Sequence, residues 1–131
     1  HFYPSLNLDQ KQEIGFESTR GTLELALVFV SLVILPPLVE EIMMRGFLYS
    51  GMRKMFGCVI SAVIVSALFG VAHLAEGGAA GPLWIGALDT FALSLVQVSL
   101  REITGNLWAG ITLHAVKNGI AFVSLFILTA R

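Results

Sequence analysis

The chain alternates between long apolar stretches and short polar breaks. Apolar residues dominate from Thr22 to Val39, Cys58 to Ala75, Pro82 to Leu100 and Asn106 to Thr129. Each stretch is about 18 residues or longer, and a helix needs roughly 20 apolar residues to cross a bilayer. The breaks carry turn chemistry: Arg53-Lys54 through Gly57, Glu76 to Gly81, and Arg101 to Gly105. Links this short predict antiparallel neighbours in a compact bundle. No strand patterning is present, and an open sheet edge could not be satisfied in hydrocarbon. The expected fold class is all-α, a polytopic transmembrane helical bundle.

One apolar stretch is interrupted from within. Pro36-Pro37 is followed at once by Glu40, Glu41 and Arg45. Proline lacks an N–H donor and suits the first turn of a helix rather than its interior. The expectation is a kink followed by a second helical segment from about Leu38 to Met52, as one bent element or as two helices. Residues 1–20 read as a polar lead-in at the surface or the membrane interface, without the apolar core of a signal peptide. Residues 21–131 read as the transmembrane core. The chain opens on His1 rather than Met, which fits a processed or truncated fragment.

Composition sharpens this picture. Hydrophobic residues make up 56% of the 131 and charged residues 13%, against about 25% charged in a typical soluble domain. Mean hydropathy is +0.81. Lipid is therefore the expected main solvent. A net charge of −1 gives no electrostatic case for nucleic acid. Cys58 is the only cysteine, so no internal disulfide can form. If the helices alternate, Arg53, Lys54 and Arg101 share one side and the Glu76 loop lies on the other. The positive-inside rule puts the basic side in the cytoplasm, although Arg20 and Arg131 offset the bias.

The informative residues are those that cost energy in a membrane. Three charges between Glu40 and Arg45 would oppose insertion by roughly 8–10 kcal/mol if unpaired and deep. They must face a protein interior, a watery cavity or the interface. Glu41 and Arg45 stand four apart and can pair on one helix face. Glu40 lies about 100° round the helix and has no local partner, which makes it a candidate general acid or base. A helix end at the interface, with all three groups reaching water, would explain the same pattern. His73 ends the run Phe69-Gly-Val-Ala-His73, where it could equally be structural, and Phe69 one turn earlier could pack over its imidazole. His114 and Asn118 share a face in the middle of the last apolar stretch, as an active pair or an interhelical hydrogen bond. Lys117 beside them is expected to snorkel. Asp89 reads as a buried carboxylate packed on a polar neighbour. One carboxylate, two imidazoles and an amide can together activate a water and hold an oxyanion.

Other intramembrane chemistries lack their residues. Neither His73 nor His114 is followed by Glu, so no His-Glu-x-x-His zinc helix exists. His73-Leu-Ala-Glu76 lacks the second His of the inverted pattern. Leu48-Tyr-Ser50-Gly51 lacks the first glycine of a Gly-x-Ser-Gly nucleophile. Asp9 and Asp89 are the only aspartates, and Asp9 falls in the lead-in, so an intramembrane aspartate pair is unavailable. Attack by water is the natural reading.

These motifs carry a resemblance. Glu40-Glu41-Ile-Met-Met-Arg45-Gly46-Phe47-Leu48 resembles the first motif of the CAAX-protease and bacteriocin-processing (CPBP, Abi-like) intramembrane proteases. Phe69-x-x-x-His73 resembles the second and His114-x-x-x-Asn118 the third, in family order on separate apolar stretches. The resemblance covers roughly residues 35–128 and implies an intramembrane endopeptidase in a multi-pass protein of the cell membrane, with further helices upstream. It implies Glu40 as the base that activates water, assisted by His73. His114 and Asn118 would hold the oxyanion, and Glu41, Arg45 and Phe69 would support the site. The family is described both as a metalloprotease and as a metal-free glutamate protease. A zinc on Glu40, His73 and His114 would follow the pattern of three ligands plus water; the metal-free form is preferred. The implied partners are the lipid bilayer and a peptide or protein substrate, prenylated or bacteriocin-like. Two other classes remain open at this stage: a non-catalytic membrane immunity or interaction protein of the same fold, and a proton or ion pathway. No inverted repeat supports the last.

Overall fold

A computed structural model describes Phe16, Thr19 and residues 21–128, with residues 79 and 80 described by backbone alone. The expected polar lead-in, residues 1–20, lies almost wholly outside them. The described residues are mostly helical and include no strand. Glu24 starts the first helix by reaching back to the Gly21 N–H (3.3 Å), which satisfies one of the orphan donors at a helix N-terminus. Helix α1 (Thr22–Phe29) runs through a π segment (Val30–Ile34) into α2 (Leu35–Glu41), then through a second π segment (Ile42–Tyr49) into α3 (Ser50–Ala72). A 3₁₀ segment (His73–Ala80) leads to α4 (Trp84–Thr104), α5 (Trp108–Phe122) and a last π segment (Val123–Leu128).

The two prolines fall in the first turn of α2, where missing donors cost least. Helical geometry passes through them, so the kink is absorbed by widened π turns and the two pieces form one bent element. The second piece begins at Leu35, three residues before the expected Leu38. The break expected from Arg53-Lys54 to Gly57 is narrower than predicted. Arg53 and Lys54 remain helical, and Gly57 alone leaves helical geometry, at φ 77° and ψ 176°. At the same end of the bundle, Gly105 closes α4 in the left-handed conformation and donates its N–H to the Arg101 carbonyl (3.0 Å), a common helix stop.

Helix α3 packs along α4, α4 against α5, and α5 against α2 and the first π segment. The α3–α4 contact is made by small and hydroxylated residues. A Cβ on Gly70 would lie 2.7 Å from the Ala87 carbonyl oxygen, and Ser94 donates to Ser66 at 2.8 Å. This is how helices associate when lipid removes the hydrophobic drive: close backbones and polar bonds of about 0.6 kcal/mol each.

The distribution of polarity departs from that of a soluble protein, with several buried polar groups and many exposed large apolar ones. Buried side chains include Glu41, Arg45, Ser61, Ser66, Ser94, Gln97 and His114, whereas Phe47 and Ile103 are each 81% exposed. Two helical stretches, Thr22–Gly78 and Trp108–Leu128, are long and apolar enough to cross a membrane. The sequence pattern counted four such stretches. The stretch from Cys58 to Ala75 is joined to the first across Gly57. Helix α4 is 21 residues long but carries Asp89, Thr90, Ser94, Gln97, Arg101 and Glu102, which dilute its apolar character.

Candidate active site

Two of the three charges, Glu41 on α2 and Arg45 in the second π segment, are buried, and Glu40 is half-buried. Glu41 is 1% exposed and Arg45 0%, which removes the reading in which all three groups reach water at a helix end. Arg45 Nη1 lies 2.9 Å from Glu41 Oε1, the expected pairing. Arg45 Nη2 donates to Gln97 Oε1 on α4 at 2.6 Å, and the guanidinium stacks 4.6 Å from the centroid of the Phe69 ring. An ion pair this deep needs added partners to repay desolvation, and Gln97 and Phe69 supply them. Gly110 on α5 completes the seat. A Cβ there would stand 2.7 Å from Glu41 Oε2.

Glu40 turns from this buried pair toward a polar cavity of about 220 Å³. Glu40, His73, Glu76, His114, Lys117 and Asn118 all line it. The four residues assigned catalytic roles by motif, scattered over 79 positions of chain, therefore open onto one space. Glu41, Arg45 and Phe69 stand behind it.

Glu40 lacks a partner along its own helix but has one across the bundle: His114 Nε2 lies 3.8 Å from Glu40 Oε2, and His114 Nδ1 lies 3.7 Å from Glu41 Oε1. The imidazole thus spans the two carboxylates. Phe69 packs edge-on against both histidines, with centroids 4.7 Å from His73 and 6.1 Å from His114. It is an aromatic wall shared by Arg45, His73 and His114, more than the single stacking partner expected for His73. His73 Nδ1 donates to the Phe69 carbonyl (2.7 Å), which turns Nε2 toward Glu76 Oε1 at 3.6 Å. Its closest carboxylate is thus Glu76 rather than Glu40.

Asn118 donates an amide N–H to the Leu32 carbonyl at 2.9 Å. Leu32 precedes Pro36 by four residues and Pro37 by five, so neither α nor π geometry can supply it with a backbone donor. Asn118 fills a vacancy that the prolines create, as neighbouring helices do for kinked helices in lipid. Its second N–H remains for the cavity. Asp89 departs from expectation: it is exposed rather than buried, and pairs with Lys117 at the cavity rim, where Lys117 was expected to snorkel.

Among the described residues, no three His, Cys, Asp or Glu side chains converge closely enough to hold a metal ion. Sequence reasoning did not single out Gln97, Gly110 or Glu76 as parts of the site. Gln97 could have been noticed as an amide deep in an apolar stretch. Glu76 stands three residues after His73. Gly110 gives no sequence signal, because close approach is a tertiary fact.

Fold and cavity define a class: an integral-membrane helical bundle with a carboxylate- and imidazole-lined cavity between its helices. The model of the family described as Type II CAAX prenyl endopeptidase Rce1-like matches residues 22–120 of this chain. The chain belongs to that family, and with it to the CAAX-type intramembrane proteases. Comparisons with curated proteins and with solved structures return no match.

Proposed function

We propose that this chain is a multi-pass intramembrane endopeptidase of the cell membrane that cleaves by water attack at the Glu40 cavity. The observation that carries the reading is the meeting of Glu40, His73, His114 and Asn118 on one polar cavity inside an apolar bundle. Glu40 takes a proton from water as its oxygen attacks the scissile carbonyl carbon. His73, fixed through Nδ1, orients the water from Nε2. The tetrahedral oxyanion accepts hydrogen bonds from His114 and from the second N–H of Asn118. When the C–N bond breaks, the proton held on Glu40 passes to the leaving amine. The proposal takes the metal-free form, with Glu40 itself as the base. Glu41, Arg45, Gln97 and Phe69 hold the α2 backbone and the His114 ring in place.

The substrate is a peptide or protein. The family description names prenyl endopeptidases, which favours a prenyl-bearing peptide over a bacteriocin-like one. Exposed Trp84 and Trp108, at the starts of α4 and α5, sit where aromatic residues mark the two membrane interfaces, which supports α4 as a further crossing.

The test is steady-state cleavage of a peptide library in detergent by wild type and His114→Ala. Loss of an oxyanion donor lowers kcat by about 10²–10³-fold with little change in KM. A variant that folds and keeps its kcat would remove His114 from the mechanism.

A further inference from the structure

The basic residues of the first and third polar breaks meet at the end of the bundle away from the cavity. Tyr49, Arg53, Lys54, Arg101, Glu102 and Gly105 line a pocket of about 330 Å³ between the start of α3 and the end of α4. It is remote from the catalytic cavity: Asp89 and Arg101 are separated by about 18 Å along α4. Three cationic side chains face one carboxylate here. Glu102 is already committed, gripping Arg53 through two contacts, Nε–Oε1 at 2.7 Å and Nη2–Oε2 at 2.8 Å. Lys54 and Arg101 remain. Arg101 Nε is shielded from solvent and has no hydrogen-bond partner, and an unmade bond at a buried charged donor is costly.

The surroundings indicate the kind of anion. Met55, Phe56, Ile103 and Trp108, next to the pocket residues in sequence, are large, apolar and exposed. A ligand that sets negative charge between Lys54 and Arg101 and lays hydrocarbon along these side chains would satisfy both. We propose that this pocket binds the phosphodiester headgroup of an anionic membrane lipid. Phosphate oxygens accept charge-assisted bonds from Arg101 Nε and the Lys54 ammonium, and the fixed Arg53–Glu102 pair forms the wall. Basic pockets between membrane helices at a charged interface bind headgroups in this way.

The test is native mass spectrometry of the full chain in detergent, with phosphatidylglycerol and phosphatidylcholine supplied in equal amounts. Phosphatidylglycerol should be retained roughly fivefold over phosphatidylcholine, and Lys54→Gln and Arg101→Gln should each lower its retention about fivefold. Helix content by circular dichroism should be unchanged, and Lys54, being exposed, provides a variant that perturbs no packing. Inorganic phosphate should not displace the lipid if the acyl chains contribute. Equal retention of the two lipids overturns the proposal, including the case in which inorganic phosphate alone binds. Phosphatidylglycerol retention that neither variant changes overturns it as well.

Discussion

Arg45 shows how one residue sets the requirements of its neighbours. A guanidinium with no exposure needs its charge answered, and Glu41, Gln97 and Phe69 each answer part of it. Removing one partner of a buried pair leaves an uncompensated charge worth about 3–5 kcal/mol. Glu41→Gln should therefore lower thermal stability in detergent by more than Glu40→Gln does, because Glu40 faces the cavity. Equal shifts in melting temperature would show that Glu41 is not the anchor. Gly110→Ala sets a new methyl 2.7 Å from Glu41 Oε2, so something must move. Overpacking of this kind costs about 1–3 kcal/mol, and the variant should lose stability and cleavage together. A neutral outcome would mean that α5 can withdraw from α2. The Glu41–Arg45 pair was legible in the sequence because i, i+4 spacing is local. The Gly110 contact was not, because it exists only once α5 lies on α2.

At the scale of helices, the bent N-terminal element and α5 explain each other. Pro36 and Pro37 leave the Leu32 carbonyl without a backbone donor, and Asn118 supplies one from the facing helix. A double-mutant cycle tests this coupling. Asn118→Ala alone should destabilise by about 1–3 kcal/mol, the cost of an unsatisfied buried acceptor. In a Pro36→Ala background a backbone N–H returns to Leu32, and the cost of Asn118→Ala should fall. Simple additivity would separate the two features. The sequence revealed the proline kink and the shared face of His114 and Asn118, but could not join them, since the Leu32–Asn118 pair spans 86 positions. Gly57 makes a similar point. The turn signal was visible, but it resolved to a single residue at positive φ with its neighbours still helical. Asp89 misled because an acid in an apolar stretch reads as buried, whereas here it lies on the rim beside Lys117.

Among the described residues, many large apolar side chains face outward, several polar ones are buried between the helices, and Glu40, His73, His114 and Asn118 line one cavity. Order along the chain identified the motifs; only the fold brings their side chains together. Glu40 and His114, 74 positions apart, approach to 3.8 Å and line the same cavity. In the proposed mechanism Glu40 activates the attacking water. The most direct measurement is the cleavage rate of a fluorogenic peptide library by wild type and Glu40→Gln, both purified in detergent and matched for helix content. Glutamine keeps the size and removes the base, so the rate should fall by about 10²–10⁴-fold. Cleavage by folded Glu40→Gln at the wild-type rate would remove Glu40 as the base.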